Sequence, residues 1–390
     1  MLRICFLHHD TRLYGATRSL LNLIDGLKQY DVLPYVIIPS KGDIVTALES
    51  KHINFDVVSL EWWVYRRYKQ DGLLENILYN FRQTRYILSQ TINSFKTLQK
   101  LSEKLLEWKI DVVYSNSTVI PLGALVAQKL KLPHVWHLRE FVDLDYNFSY
   151  NFGKPLASFL ISKSQAKIAV SKAVKRHILG NFPCHVIYNG VISAARAEEL
   201  RKIAISKLEN YQSIYTFVIA GLIKSEKGQS MAISALSIVA KEYPNVKLLI
   251  VGHGDTAPLK QLAISLAVET KVEFCGYIDD PYQIYLRSDA LLMCSPNEAM
   301  GRVTVEAMTA CLPVIGFDNG GTSELVIHNY TGLLYKNGVE ELANCMGLFI
   351  KDRSWSKCLG FNGWKIAHEN YTIEACAKSV YDVLESINRH

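Results

Sequence analysis

The sequence predicts an α/β fold built as two successive doubly wound domains facing each other across a cleft. Two observations predict it. Short β-branched or aromatic runs of four or five residues alternate with longer amphipathic stretches, the pattern of buried parallel strands joined by crossover helices. The same alternation restarts after about residue 192, and 390 residues suit two domains at roughly 150 residues or more each. Hydrophobic residues are 49% and charged residues 21%, an ordinary globular balance that excludes a disordered chain.

The first series of strand candidates is Ile4–Leu7, Tyr35–Ile38, Phe55–Val58, Asp111–Tyr114, His134–Trp136, Lys167–Val170 and Val186–Tyr188. Helical stretches such as Ser19–Gln29 and Pro121–Leu130 lie between them. From about Leu73 to Trp108 the strand signal disappears. Leu73, Leu74, Ile77, Leu78 and Phe81 recur at helical spacing, which predicts a long helical insertion or hairpin. The join at Tyr188-Asn189-Gly190-Val191 closes a first domain over 1–190. The second, over 191–372, opens with a polar helix Ala194–Asn210. Its strands are Thr216–Ala220, Lys247–Val251, Val272–Cys275, Ala290–Cys294 and Val314–Gly316. Its helices are Gln229–Glu242, Pro258–Glu269, Pro281–Ser288 and Val303–Cys311. A last helix covers about 373–390.

Lys plus Arg number 43 against 37 Asp plus Glu, a net charge of +6. The charge is spread along the chain rather than blocked, which points away from nucleic acid and toward a small anionic substrate or an anionic membrane surface. The 8 cysteines form no C-x-x-C pair and sit mostly in apolar runs, as reduced core residues of a cytosolic protein do. The N-terminal apolar run is too short for a secretory signal, and no run approaches the ~18 apolar residues of a membrane span.

The densest chemistry lies between Cys294 and Leu325. Glu298 and Glu306 flank Ala299-Met300-Gly301-Arg302-Val303-Thr304-Val305. A helix beginning near Gly301 presents its first N–H groups, at the positive end of its dipole, to an anion. Glycine at the entry allows a phosphate close approach. Carboxylates repel phosphate but accept hydrogen bonds from hydroxyls, and phosphate plus polyhydroxyl is a nucleotide sugar. Lys227, in Gly221-Leu222-Ile223-Lys224-Ser225-Glu226-Lys227-Gly228 between a strand and a helix, can meet a diphosphate as a point charge. The loop Asp10–Arg18 follows the first strand and carries the single glycine Gly15, so it is no dinucleotide fingerprint.

With Val170-Ser171, Tyr188-Asn189-Gly190-Val191, Val251-Gly252-His253-Gly254, Pro313-Val314-Ile315-Gly316 and Gly320-Gly321-Thr322-Ser323-Glu324, these segments resemble the retaining glycosyltransferases of GT-B fold, family 4, along nearly the whole chain. The resemblance implies two Rossmann-like domains, the first for an acceptor and the second for a nucleotide diphosphate sugar. It implies that Lys227 holds the diphosphate, that Glu298 binds the transferred sugar with N–H groups of Gly301, Arg302 and Val303 nearby, and that Glu306 binds the ribose. Gly15 would let its loop close on the diphosphate, and His137 would face the sugar. Gly221 and Gly252 lie in the donor loops. No metal and no cofactor is implied, and the final helix would return to the first domain. One position departs: Leu222 stands where the family has arginine, so that a phosphate contact is missing or comes from Lys224 or Arg302.

Two further motifs complete the reading. Asp143-Leu144-Asp145 is a D-x-D triplet without a supporting metal pattern, and His8-His9 lacks a third ligand. Trp62-Trp63-Val64-Tyr65-Arg66-Arg67-Tyr68-Lys69 mixes aromatic and basic residues, as a membrane interface, a sugar acceptor site or a loop packed onto the long helical insertion does. The function expected is sugar transfer to an acceptor hydroxyl, on a lipid-linked saccharide in cell-surface polysaccharide assembly, at the inner membrane face. The alternatives are a nucleotide-sugar epimerase and a non-catalytic nucleotide-sugar binding protein.

Overall fold

A computed structural model of the chain describes residues 1–67, 72–206 and 213–388. Tyr68 and Lys69 of the aromatic–basic segment, and the end of the helix expected to run to Asn210, lie outside the described residues. The chain forms two compact units. One is Met1–Tyr188 with Cys376–His390, the other Asn189–Ala375.

The first unit contains β1 (Leu2–Leu7), β2 (Val32–Ile38), β3 (Asn54–Val57), β4 (Val64–Arg66), β5 (Val112–Ser115), β6 (His134–Leu138), β7 (Phe148–Tyr150), β8 (Ala166–Ala169) and β9 (His185–Val186). Seven of them form one parallel sheet in the order β3-β2-β1-β5-β6-β8-β9. β4 and β7 pair separately and antiparallel. The inner strands are buried along their length, β5 and β6 at every residue, because helices cover both faces of a parallel sheet. The final helix, Ile373–Asn388, inserts Cys376, Ala377, Val380, Val383 and Leu384 into this core, and its Tyr381 stacks on Tyr30 at 4.2 Å. Each larger aliphatic residue buried this way contributes on the order of 1.5–3 kcal/mol.

The second unit contains β10 (Tyr215–Ala220), β11 (Val246–Val251), β12 (Val272–Gly276), β13 (Ala290–Met293), β14 (Val314–Phe317) and β15 (Gly332–Tyr335), all parallel, in the order β12-β11-β10-β13-β14-β15. In both sheets the order of strands reverses beside the first strand, between β1 and β5 and between β10 and β13. Such a switch point leaves a crevice at the carboxyl ends of the strands, where doubly wound sheets bind ligands.

The short antiparallel strands β4 and β7 were not read in the sequence, and the structure departs from the sequence reading elsewhere too. The insertion over Leu73–Glu107 is one 35-residue helix rather than a hairpin, since no glycine or proline interrupts it. The sixth strand, β15, went unseen along with the helices Gly338–Lys351 and Arg353–Asn370 that follow it. Its glycine breaks the apolar run, yet Gly332 is obligatory: a Cβ there would lie 2.1 Å from the Val314 carbonyl oxygen. The helix expected over Pro281–Ser288 is shorter, Tyr282–Tyr285.

Candidate functional site

The second unit builds its crevice from glycines. After β10 and β11 the chain passes through Gly221 (φ +140°) and Gly252 (φ +147°). Gly221 N–H donates to Val251 O at 2.9 Å and Gly252 N–H to Gly276 O at 2.8 Å. These loops run backbone against backbone: a Cβ on Gly252 would sit 1.8 Å from Gly221 O. The turn Ser225–Lys227 follows. Gly228 (φ +75°) then packs its Cα on Cys294, at the end of β13, where a Cβ would come within 2.6 Å. This contact pins the loop after β10 against the loop after β13 and sets Lys227 beside Glu298, whose carboxylate accepts a hydrogen bond from Nζ. From the other side, Gly321 N–H donates to Glu298 O at 2.7 Å, and Gly320 and Gly321 leave no room for a Cβ against Glu298 and Met300. Glu298 is thus held on a loop clamped from two directions. Its side chain is 15% exposed and that of Lys227 36%, so both reach the surface of the crevice.

Three residues beyond Glu298, Gly301 turns left-handed (φ +92°) and the helix Arg302–Thr309 begins. No side chain caps that end, and the first N–H groups of a helix have no intrahelical acceptor. Glu306, a turn inside, accepts from Tyr285 Oη at 3.2 Å and lies 3.7 Å from the Arg302 guanidinium. Val303 is half-buried and Lys224 exposed. Leu222 is half-buried, its carbonyl accepting from Gln229 Nε2 at 2.9 Å. The structure therefore brings Lys227 to Glu298 and Arg302 to Glu306, and sets Gly221 and Gly252 under the same loops. His253 and Tyr277, after β11 and β12, stack at 4.5 Å and 7°.

The first unit gathers a polar network at the ends of β1, β5 and β6. His137 is fully buried, with Nδ1 2.7 Å from Tyr114 Oη. Its Nε2 has no hydrogen-bond partner. Burial, helped by the charge of Arg139, holds its pKa well below the ordinary imidazole range, so the ring is neutral. Gly15 is exposed at the first position of the helix Gly15–Leu27.

Residues 14–194 match the family described as Glycosyltransferase Family 4, and residues 201–364 match Glycosyl transferases group 1. The chain belongs to these glycosyltransferases. A glycosyltransferase of Methanocaldococcus jannaschii is 25% identical over 373 residues, 92% of this chain and 98% of that one. The phosphatidyl-myo-inositol mannosyltransferase of Mycobacterium tuberculosis is 39% identical over 95 residues, 24% of this chain and 25% of that one. Among solved structures, Anabaena HepE in complex with UDP and glucose has a TM-score of 0.77 at 23% identity, covering 99% of this chain and all of that one. A glycosyltransferase from Rickettsia africae has a TM-score of 0.76 at 19% identity, with 99% and 98% covered. The fold they share with this glycosyltransferase is GT-B.

Sequence reasoning missed most of the glycosyltransferase's first-unit network. His8 Nδ1 lies 3.0 Å from Asn116 Nδ2 and its Nε2 lies 2.9 Å from Thr17 Oγ1. Arg139 Nε donates to Asn116 Oδ1 at 2.8 Å. Glu140 accepts from Ser117 Oγ and, at 2.7 Å, from Thr118 N–H. Arg139 and Glu140 are both buried. The available signal was a charged pair directly after an apolar strand, where solvent is the ordinary reading. The buried atoms His9 Nδ1 and Thr118 Oγ1 lack hydrogen-bond partners, as His137 Nε2 does. Buried polar atoms without partners are uncommon.

The aromatic–basic segment requires a correction. Trp63, read in the sequence as part of a membrane or acceptor patch, is a core residue. It stacks on Trp136 at 5.4 Å, and its Nε1 donates to Thr118 O at 2.9 Å. Trp62 is half-buried against His9 and Phe148. Tyr65 and Arg66 are held in the β4–β7 ladder, and Arg67 Nε donates to Ser149 Oγ. Among the described residues of the segment, only Arg66 and Arg67 are exposed. Ring content alone does not say which way rings turn, and here pairing with β7 turns them inward. Asp143 of the D-x-D triplet lies 2.5 Å from His177 Nε2 and 3.6 Å from Lys154 Nζ. Among the described residues no group of three or more His, Cys, Asp or Glu could hold a metal ion. Cys358 is exposed, unlike the core cysteines expected.

Burial raises the Glu140 pKa to about 7, against the pull of its hydrogen bonds and of Arg139. A raised carboxyl pKa favours the folded state below the unfolded value and withdraws that support as pH rises through 7. Wild type is therefore expected to lose stability relative to Glu140→Gln, on the order of 3 kcal/mol, between pH 4.5 and pH 8. Thermal melts of both proteins across that range check it; parallel curves would show that Glu140 does not titrate there.

Proposed function

We propose that this chain transfers a sugar from a nucleotide diphosphate sugar to an acceptor hydroxyl with retention of anomeric configuration and without a metal. The observation that carries the reading is the placement of Lys227 against Glu298 at the switch point of the second sheet, three residues ahead of an uncapped helix start. Lys227 takes the diphosphate, Glu298 the sugar hydroxyls and Glu306 the ribose. The bond from the anomeric carbon to the diphosphate oxygen breaks as the acceptor oxygen attacks the same face. Lys227 and the helix N-terminus stabilise the charge that develops on the leaving group, and the departing diphosphate takes the acceptor proton. His137, neutral and with Nε2 unengaged, receives a hydroxyl of the sugar.

The acceptor belongs to the first unit, where the orphaned polar atoms and Trp62 suit a saccharide. We place that saccharide on a lipid carrier, in cell-surface polysaccharide assembly, with the protein cytosolic at the inner membrane face. Among the described residues no helix is long and apolar enough to cross a membrane. Because HepE is seen with UDP and UDP-glucose, uridine diphosphate sugars head the donor panel, followed by guanosine and deoxythymidine ones, each with and without chelator. Slow release of diphosphate from one donor, persisting in chelator and lost in Glu298→Ala, is expected by mass spectrometry. Silence across the panel, with no thermal shift, would overturn the donor assignment.

A further inference from the structure

The helix Leu73–Glu107 has one buried face and, opposite it, an exposed apolar one. One face serves the fold: Gln90, Leu101, Ser102 and Leu105 are buried, and Gln90 Oε1 accepts from Asn151 Nδ2 at 3.1 Å. The other carries Leu78, Phe81, Leu88, Ile92 and Phe95, each 55–66% exposed. With Arg85 they are spaced three and four residues apart, a continuous stripe about half a turn from the buried one. A contiguous exposed apolar stripe of this kind marks an interaction surface.

Charge identifies the cover. From Asn76 to Ser102 the helix has no Asp or Glu, but it has Arg82, Arg85, Lys96 and Lys100. A second copy of the same stripe would bury Arg85 in the seam, against itself in a parallel pair or against Leu88 or Phe95 in an antiparallel one, with no carboxylate in the stretch to meet it. Unpaired buried charge is strongly unfavourable. On a lipid surface the apolar side chains enter the acyl boundary while arginine extends to the phosphates. The same unit repeats the combination. The helix Lys154–Ser162 exposes Leu156, Phe159 and Leu160, and Lys163 sits over the Phe159 ring at 4.6 Å. It lies in an acid-free stretch running from Tyr146 to Ala197. Asn151, just ahead of that helix, is the residue bonded to Gln90.

We propose that the outward stripe of the helix Leu73–Glu107 docks on a membrane surface bearing anionic headgroups. The proposal deepens the membrane-side part of the function proposed above by naming the face that would make contact. The test contains neither donor nor acceptor, so its failure leaves the transfer chemistry standing, and failure of the donor panel leaves docking standing. The full chain would be sedimented with phosphatidylcholine vesicles and with vesicles containing phosphatidylglycerol. Binding is expected to the anionic vesicles only and to weaken with salt. A quadruple variant, Phe81→Ser with Leu88→Ser, Ile92→Ser and Phe95→Ser, and a charge variant, Arg82→Glu with Arg85→Glu and Lys96→Glu, should each bind roughly tenfold less or weaker still. Both replace exposed side chains and should melt with the parent. No binding by the parent, or equal binding by both variants, overturns the proposal. So does a concentration-dependent dimer in sedimentation equilibrium that the serine variant abolishes, because the stripe would then belong to a second copy.

Discussion

Lys227→Ala is expected to lower turnover of the preferred donor by about 10²–10³-fold, the range for removing one group that stabilises charge in a transition state. In the function proposed above the Lys227 ammonium faces the leaving diphosphate, and the turn that carries it is locked onto Cys294 by Gly228. The ammonium's neighbour is the Glu298 carboxylate, so a diphosphate bound as proposed would compete with Glu298 for the same cation. The two variants should therefore part. Lys227→Ala loses turnover and binds free nucleoside diphosphate more weakly. Glu298→Ala loses turnover but binds the free diphosphate as well as the parent or better, because the competing carboxylate is gone. Steady-state kinetics beside calorimetric titration with nucleoside diphosphate read both quantities. Equal loss of diphosphate affinity in both variants would mean that the pair acts only as a structural clasp.

Gly252→Ala is expected to be the most damaging single methyl in the second unit. The new Cβ would sit 1.8 Å from the Gly221 carbonyl oxygen, in a backbone at φ +147°. Neither neighbour can yield, because Gly221 N–H is bonded to Val251 O and Gly252 N–H to Gly276 O. Overpacking against backbone should cost at least about 3 kcal/mol, a fall in Tm of about 6–12 °C for a domain of this size. Donor binding should fail with it, since the loop that carries Lys227 starts at Gly221. Gly276→Ala is the control. Its φ is +68° but a Cβ there meets nothing within 4 Å, so only backbone strain of about 1–2 kcal/mol applies. Similar melts for the two variants would show that the close approach is not rigid.

Most of the fold was legible because parallel strands buried on both faces are written as short unbroken apolar runs. β15 was not, since the glycine that lets it lie against Val314 also interrupts its pattern. Glu298, Gly301 and Lys227 were singled out in the sequence, and the resemblance assigned them to one site. Their direct contact was not readable from any local segment: Lys227 and Glu298 touch because β10 and β13 are neighbours, and strand order is not a local property. Trp63 misled because a ring beside arginines looks interfacial until the partner strand is known. Arg139 and Glu140 escaped notice because charges after a strand are ordinarily solvated, whereas here Asn116, Ser117 and Thr118 give them internal partners.

The chain leaves the first unit after Tyr188 and re-enters it at Cys376. On the second unit's side those two crossings are fastened together: Val191 N–H donates to Tyr371 O, Ile373 N–H to Ile192 O, and Ile192 bridges Thr372. During synthesis the second unit therefore has both of its ends in hand while the first still lacks Cys376, Ala377, Val380, Val383 and Leu384 from its core. The part translated first is completed last, and until the final helix emerges from the ribosome the apolar surface it will cover is open to chaperones.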